Sequence, residues 1–122
     1  EGSLSARELS EIMLKAQKSA YSESLSVYHP YMWVCKPHYY DAEYNYYNFP
    51  YAFGLLLSKG LYGLYQKNGN EFVKDYNKFL NTTGKASIKD TALSIGINLS
   101  DKAFWDLSVD TIKKEIDNFC KI

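Results

Sequence analysis

The chain has 122 residues, with 14 Lys and Arg against 14 Asp and Glu, and 46% of its residues are hydrophobic. A domain of this length removes roughly two-thirds of its unfolded surface from water. Zero net charge leaves no long-range field to gather phosphate backbones or an anionic membrane, so neither nucleic acid nor membrane is an expected partner.

Cys35 and Cys120 are too few for a disulfide framework and lack Cys-x-x-Cys spacing, so free thiols in a reducing compartment are expected. No apolar run approaches the roughly 20 residues of a membrane span. No charged-then-apolar leader opens the chain, and a soluble, cytoplasmic protein follows as the expectation. The sequence starts Glu1-Gly2-Ser3-Leu4, without an initiating methionine, and enters a helix almost at once. It reads as a piece of a longer protein.

Ser5-Ala6-Arg7-Glu8 is a capping box, with Leu4 and Leu9 placed to form a hydrophobic staple. The helix that starts there carries Leu9, Ile12, Met13, Ala16 and Ala20 at spacings of three and four, which predicts an inward stripe. Pro30 fits the first turn of a short helix through Tyr31–Cys35. Trp33 is expected in the core, and His29 is expected to make a local hydrogen bond. Pro50 opens a second long helix, with Asn48 just upstream, running through Phe53, Leu55–Leu57, Leu61, Leu64 and Tyr65 to Asn68-Gly69. Its apolar residues lie nearly all round, which predicts burial between neighbours. Gly54, Gly60 and Gly63 each cost roughly 1 kcal/mol of helix propensity relative to alanine. Their presence points to close packing by other backbones.

Asn70 is placed to cap a third helix whose inner face holds Phe72, Val73, Tyr76, Phe79 and Leu80. Ser87, with Asp90 three residues on, begins a short helix that ends at Gly96. Asn98–Asp101 leads into a helical turn at Ala103–Leu107, then a last helix with Val109, Ile112, Ile116, Phe119 and Cys120 inward. Strand signals are essentially absent. The expected architecture is all-α, a multi-helix array forming a single domain over residues 1–122.

The unusual chemistry sits between Pro37 and Gly54. That stretch holds one of the two histidines and six of the 12 tyrosines. A phenol joins an apolar ring to one hydroxyl, so a cluster of phenols can line a groove that is apolar yet hydrogen-bonding, which suits a peptide. Other chemistries lack their parts. There is no His-Glu-x-x-His, no phosphate-binding glycine loop and no Gly-x-Ser-x-Gly elbow. Cys35 and His38 flank a proline too closely for a thiol-protease dyad, and two ligands make a poor metal site. Asp41 and Glu43 read as a solvated loop face. On composition alone, His38 and its tyrosines read as a structural aromatic cluster.

Pro37-His38-Tyr39-Tyr40, followed by Tyr47-Asn48-Phe49-Pro50-Tyr51-Ala52-Phe53-Gly54, resembles the C-terminal part of the catalytic domain of oligoendopeptidase F-like zinc metallopeptidases, relatives of thimet oligopeptidase. The likeness extends through the glycine-punctuated helix to Gly96–Ser100 and Phe104-Trp105. The resemblance implies a helical, zincin-like domain around a channel that hydrolyses oligopeptides. In that family zinc is held by His-Glu-x-x-His and a later glutamate, and a histidine and tyrosines from the C-terminal segment face the metal across the substrate. His38, Tyr47 and Tyr51 match those catalytic positions. Tyr40 and Tyr44 match as substrate-binding aromatics, Tyr44 less closely because the spacing varies.

The chain carries none of the zinc half, so the resemblance implies zinc in a parent enzyme, none bound by this piece, and no hydrolysis by the piece alone. Its implied partners are the oligopeptide substrate and the N-terminal remainder of the peptidase. A stand-alone helical module that holds peptides without cutting them is the competing expectation. Self-association through the apolar helix around Leu55–Leu64 is a further one.

Overall fold

The computed structural model describes residues 2–122, and its regular structure is helical. The helices are α1 (Ala6–Tyr21), α2 (Phe49–Asn68), α3 (Glu71–Thr82), α4 (Ile88–Leu93) and α5 (Lys102–Phe119), with a single 3₁₀ turn at Pro37–Tyr39. The described residues contain no strand, only an isolated bridge between Thr83 and Ala86. No helix among them is long and apolar enough to cross a membrane. The chain packs as two compact units, one ending at Phe49 and the other comprising Pro50–Ile122.

In the first unit, α1 starts at the capping box read from the sequence. The Ser5 side chain accepts from the Glu8 amide at 3.3 Å, and the Glu8 carboxylate accepts from the Ser5 amide at 2.7 Å. The helix is rotated from the expected stripe. Ile12, Ala16 and Ala20 are exposed, whereas Leu9, Ser10, Met13 and Leu14 are half-buried and Gln17 is buried. Polar bonds set this rotation. Gln17 Nε2 donates to the His29 carbonyl at 2.9 Å, its Oε1 accepts from the His29 amide at 3.2 Å, and the Trp33 indole donates to Ser10 Oγ at 3.3 Å. A side-chain amide that pairs both polar groups of a distant residue must turn inward, and it carries its helix face with it.

The helix expected at Tyr31–Cys35 is instead a run of turns closed by i to i+3 bonds, among them Val34 N–H to Tyr31 O at 3.0 Å and Cys35 N–H to Met32 O at 3.2 Å. The next proline, Pro37, biases Lys36 to extended backbone and stops the run short of a helix. Trp33 is half-buried. After α1, Ser22 and Glu23 both take left-handed backbone, with φ of 46° and 59°.

The second unit holds the apolar core: Leu57, Leu61, Phe72, Phe79, Ala92, Ile97 and Phe104, with Phe53, Leu64, Ile95, Leu99 and Trp105 packed against it. α2 begins and ends where the sequence placed it, closing at Gly69 with φ +62°. It is not buried all round. Leu57, Gly60, Leu61 and Gly63 form its inner stripe, while Tyr51, Leu55, Tyr62 and Tyr65 are exposed. The neighbour at its glycines is α5, which approaches through side chains. A Cβ added to Gly60 would lie 2.6 Å from Ser108 Oγ, and one added to Gly63 would lie 2.8 Å from Thr111 Oγ1; around Gly54 nothing lies within 4 Å.

α5 is one continuous helix rather than a turn followed by a second helix. It is capped by Asp101, whose side chain accepts from the Ala103 amide at 2.9 Å. Its inner positions are Phe104, Ser108 and Thr111, and Val109, Ile116 and Phe119 are exposed. Ser108 and Thr111 meet the glycines of α2 alongside the Phe104 ring at Gly60 and the Leu107 side chain at Gly63. Ser108 and Thr111 satisfy their hydroxyls on the carbonyls one turn back, at 3.0 and 2.8 Å. Asn70 does not cap α3 with its side chain, because its own backbone is already helical. Phe72 and Phe79 are the inward residues of α3, with Val73, Tyr76 and Leu80 exposed. Ser87 caps α4 as expected, accepting from the Asp90 amide at 3.2 Å and donating to the Asp90 carboxylate at 2.6 Å.

Candidate functional site

Pro37 opens the 3₁₀ turn and places His38 at its centre. The chain then reverses twice. Asp41 Oδ1 accepts from the Glu43 and Tyr44 amides at 2.9 and 3.2 Å, an Asx-type turn that holds the loop tip. The Asp41 carboxylate, read from the sequence as part of a solvated loop face, is therefore engaged with the backbone. Tyr46, with φ 55°, turns the chain back so that its amide donates to the His38 carbonyl.

This closure forms a hollow of about 260 Å³ lined by His38, Met32, Lys36, Tyr39, Tyr46 and Asn48. His38 is half-buried in it. The aromatic rings of the loop meet edge to face: Tyr39 with Tyr46 at 6.2 Å, Tyr44 with Tyr47 at 5.7 Å, and Tyr47 with Phe49 at 6.3 Å. Such contacts hold rings in place without using their hydroxyls.

Among the sequence-derived site residues, His38, Tyr40, Tyr44 and Tyr47 all belong to the first unit. Tyr40, Tyr44 and Tyr47 are exposed. The Tyr40 hydroxyl donates to the Val34 carbonyl at 3.0 Å, which leaves it only as an acceptor for a ligand. Among the described residues, nothing engages the hydroxyls of Tyr44 and Tyr47. Tyr51 lies in the first turn of α2, in the second unit, and is exposed there. Tyr39 and Tyr46, which line the hollow beside His38, were not singled out from the sequence. Alternation of ring contacts through a loop leaves no periodic signal to find them by.

His29, the second histidine, accepts on Nδ1 from the Tyr31 amide at 3.2 Å, the local bond expected of it. Cys35 and Cys120 are both free and exposed. Among the described residues, no group of three or more His, Cys, Asp or Glu side chains is placed to hold a metal ion. No family model, curated protein or solved structure matches this chain.

Proposed function

We propose that this chain is the C-terminal, substrate-side part of an oligoendopeptidase F-like zinc peptidase with a zincin-like helical fold, and that its loop of His38 and tyrosines engages oligopeptides. The observation that carries the reading is the half-buried imidazole of His38, set in a hollow that it shares with the rings of Tyr39 and Tyr46, on a loop where Tyr44 and Tyr47 are exposed. A backbone carbonyl of a peptide finds donors there, and its apolar side chains find ring faces. An imidazole or phenol about 3 Å from a developing oxyanion stabilises charge that the ground-state carbonyl lacks, and loss of one such donor lowers the rate roughly 10²- to 10³-fold. His38 and Tyr47 are assigned that donor role and Tyr44 the gripping of side chains. Tyr40, whose hydroxyl proton is committed to Val34, accepts from a substrate amide. Tyr51 is a separate exposed phenol carried by the resemblance alone.

Among the described residues, no cluster of His, Cys, Asp or Glu is placed to hold zinc. The metal, which in such enzymes polarises the scissile carbonyl and acidifies its water, belongs to the N-terminal remainder of the parent. The second reading is a stand-alone helical module that holds peptides without cutting them, and it draws on the same exposed phenols.

The test has two stages. Titration of the chain with short unstructured oligopeptides is expected to saturate and to weaken in Tyr47→Ala; a flat titration removes both readings. Hydrolysis by the protein encoded with all upstream sequence is then expected to fall in His38→Ala and Tyr47→Phe while zinc content stays constant. Unchanged turnover in both variants sinks the assigned roles. Saturable binding by the longest encoded protein, without hydrolysis, leaves the binding module.

A further inference from the structure

The hollow beside His38 is lined by donors. Lys36, His38, Asn48 and the phenols of Tyr39 and Tyr46 all carry N–H or O–H groups, and Met32 adds one apolar wall. No carboxylate lines it. Of the two acids on the same loop, Asp41 is turned onto the Glu43 and Tyr44 amides, and neither Asp41 nor Glu43 belongs to the lining. Lys36 is exposed and enters none of the ion pairs among the described residues, which join Arg7 to Glu11, Lys59 to Glu115, Lys102 to Asp106 and Lys113 to Asp110. An ammonium set among neutral donors, with no acid beside it, selects an anion.

We propose that this hollow binds the C-terminal carboxylate of an oligopeptide, with Lys36 as its counter-ion. The inference deepens the reading above and rests on it for the peptide nature of the ligand. Size favours a chain end. At about 260 Å³ the hollow falls just short of the roughly 300–1,000 Å³ of pockets that take drug-sized ligands, so it holds a terminal residue rather than a length of chain.

The lining also separates a C-terminus from other anions. The last residue of a peptide brings an amide N–H close beside its carboxylate, and the Asn48 side chain offers a carbonyl to accept from it. A phosphate brings no N–H, and an Asp or Glu side chain holds its charge further from one. His38 keeps the role assigned above, because the carbonyl before the last residue lies only about 3.5 Å back along an extended chain.

The test uses the chain and two oligopeptides with neutral side chains, identical except that one ends in a free carboxylate and the other in a carboxamide. Titration calorimetry is expected to give a Kd about tenfold lower for the acid. Lys36→Gln, at an exposed position, is expected to cut that preference to about twofold with the helical circular dichroism retained. Lys36→Arg, which keeps the charge, is expected to keep the preference. Tyr47→Ala, outside the hollow, is expected to weaken both peptides alike. Equal binding of acid and amide overturns this inference and leaves the oligopeptide reading standing. Failure of both peptides to bind removes the two together. The inference is also overturned if the preference survives Lys36→Gln, if a peptide amide whose last residue is glutamate binds as tightly as the free acid, or if inorganic phosphate displaces the acid at equal concentration.

Discussion

Ser108 stands against Gly60 so closely that a methyl group on the glycine would lie 2.6 Å from the serine hydroxyl oxygen, and the edge of the Phe104 ring would be nearer still. The approach of α5 to α2 is set at this point. Gly60→Ala is expected to destabilise the protein, because overpacking costs about 1–3 kcal/mol against roughly 1 kcal/mol gained in helix propensity. Gly54→Ala, with open space around it, is expected to stabilise by up to about 1 kcal/mol. Urea unfolding of the two variants should therefore shift in opposite directions within one helix.

Gln17 pairs both backbone groups of His29 through one side-chain amide. Gln17→Ala leaves the His29 amide without its partner and the carbonyl with the Met32 amide alone, at a cost of about 1–3 kcal/mol. Amide hydrogen exchange should accelerate at His29 and in the following turns through Lys36, while the amides of α5 keep their protection.

The capping box makes the start of α1 sensitive to acid. Hydrogen bonds from the Ser5 backbone, and then from its side chain, hold the Glu8 carboxyl below its usual value near 4.5. A carboxyl depressed on folding contributes stability that is present above its unfolded value and lost as pH falls through its folded one. Helicity of α1 should therefore decline on acidification from about pH 4.5 downward, and Glu8→Gln should flatten that decline. Circular dichroism between pH 6 and pH 2, on wild type and variant, checks it.

Both thiols are free and exposed, so the native protein should release two equivalents of chromophore from a disulfide reagent without denaturant, with Cys35→Ser and Cys120→Ser each removing one.

Helix starts were legible in the residues themselves. Ser5 and Ser87 both cap where their side chains announce it, and Pro50 falls in the first turn of α2. Those signals are local, carried by one side chain and the amides two or three residues on. Helix faces were less legible. Apolar spacing in α1 favoured Ile12 and Ala16, but two long-range bonds from Gln17 outweighed it, and no local pattern encodes a partner 12 residues away. In α5 the apolar Val109 and Ile116 suggested the wrong side, because the face that meets Gly60 and Gly63 mixes Phe104 with the hydroxyl residues Ser108 and Thr111 and so carries no continuous apolar stripe. The glycines and the hydroxyl residues are two halves of one contact, legible only when read together. At the candidate site, His38 stood out by rarity, whereas Tyr46 reaches it through a left-handed residue and a backbone bond that composition does not encode.

The turn that follows α1 bears on how this protein would respond to selection. Ser22 and Glu23 each carry a side chain in left-handed backbone, a conformation that costs residues with a Cβ roughly 1–2 kcal/mol. A library randomised at these two positions and screened only for survival of heating should converge on glycine and asparagine, leaving the rest of the chain untouched.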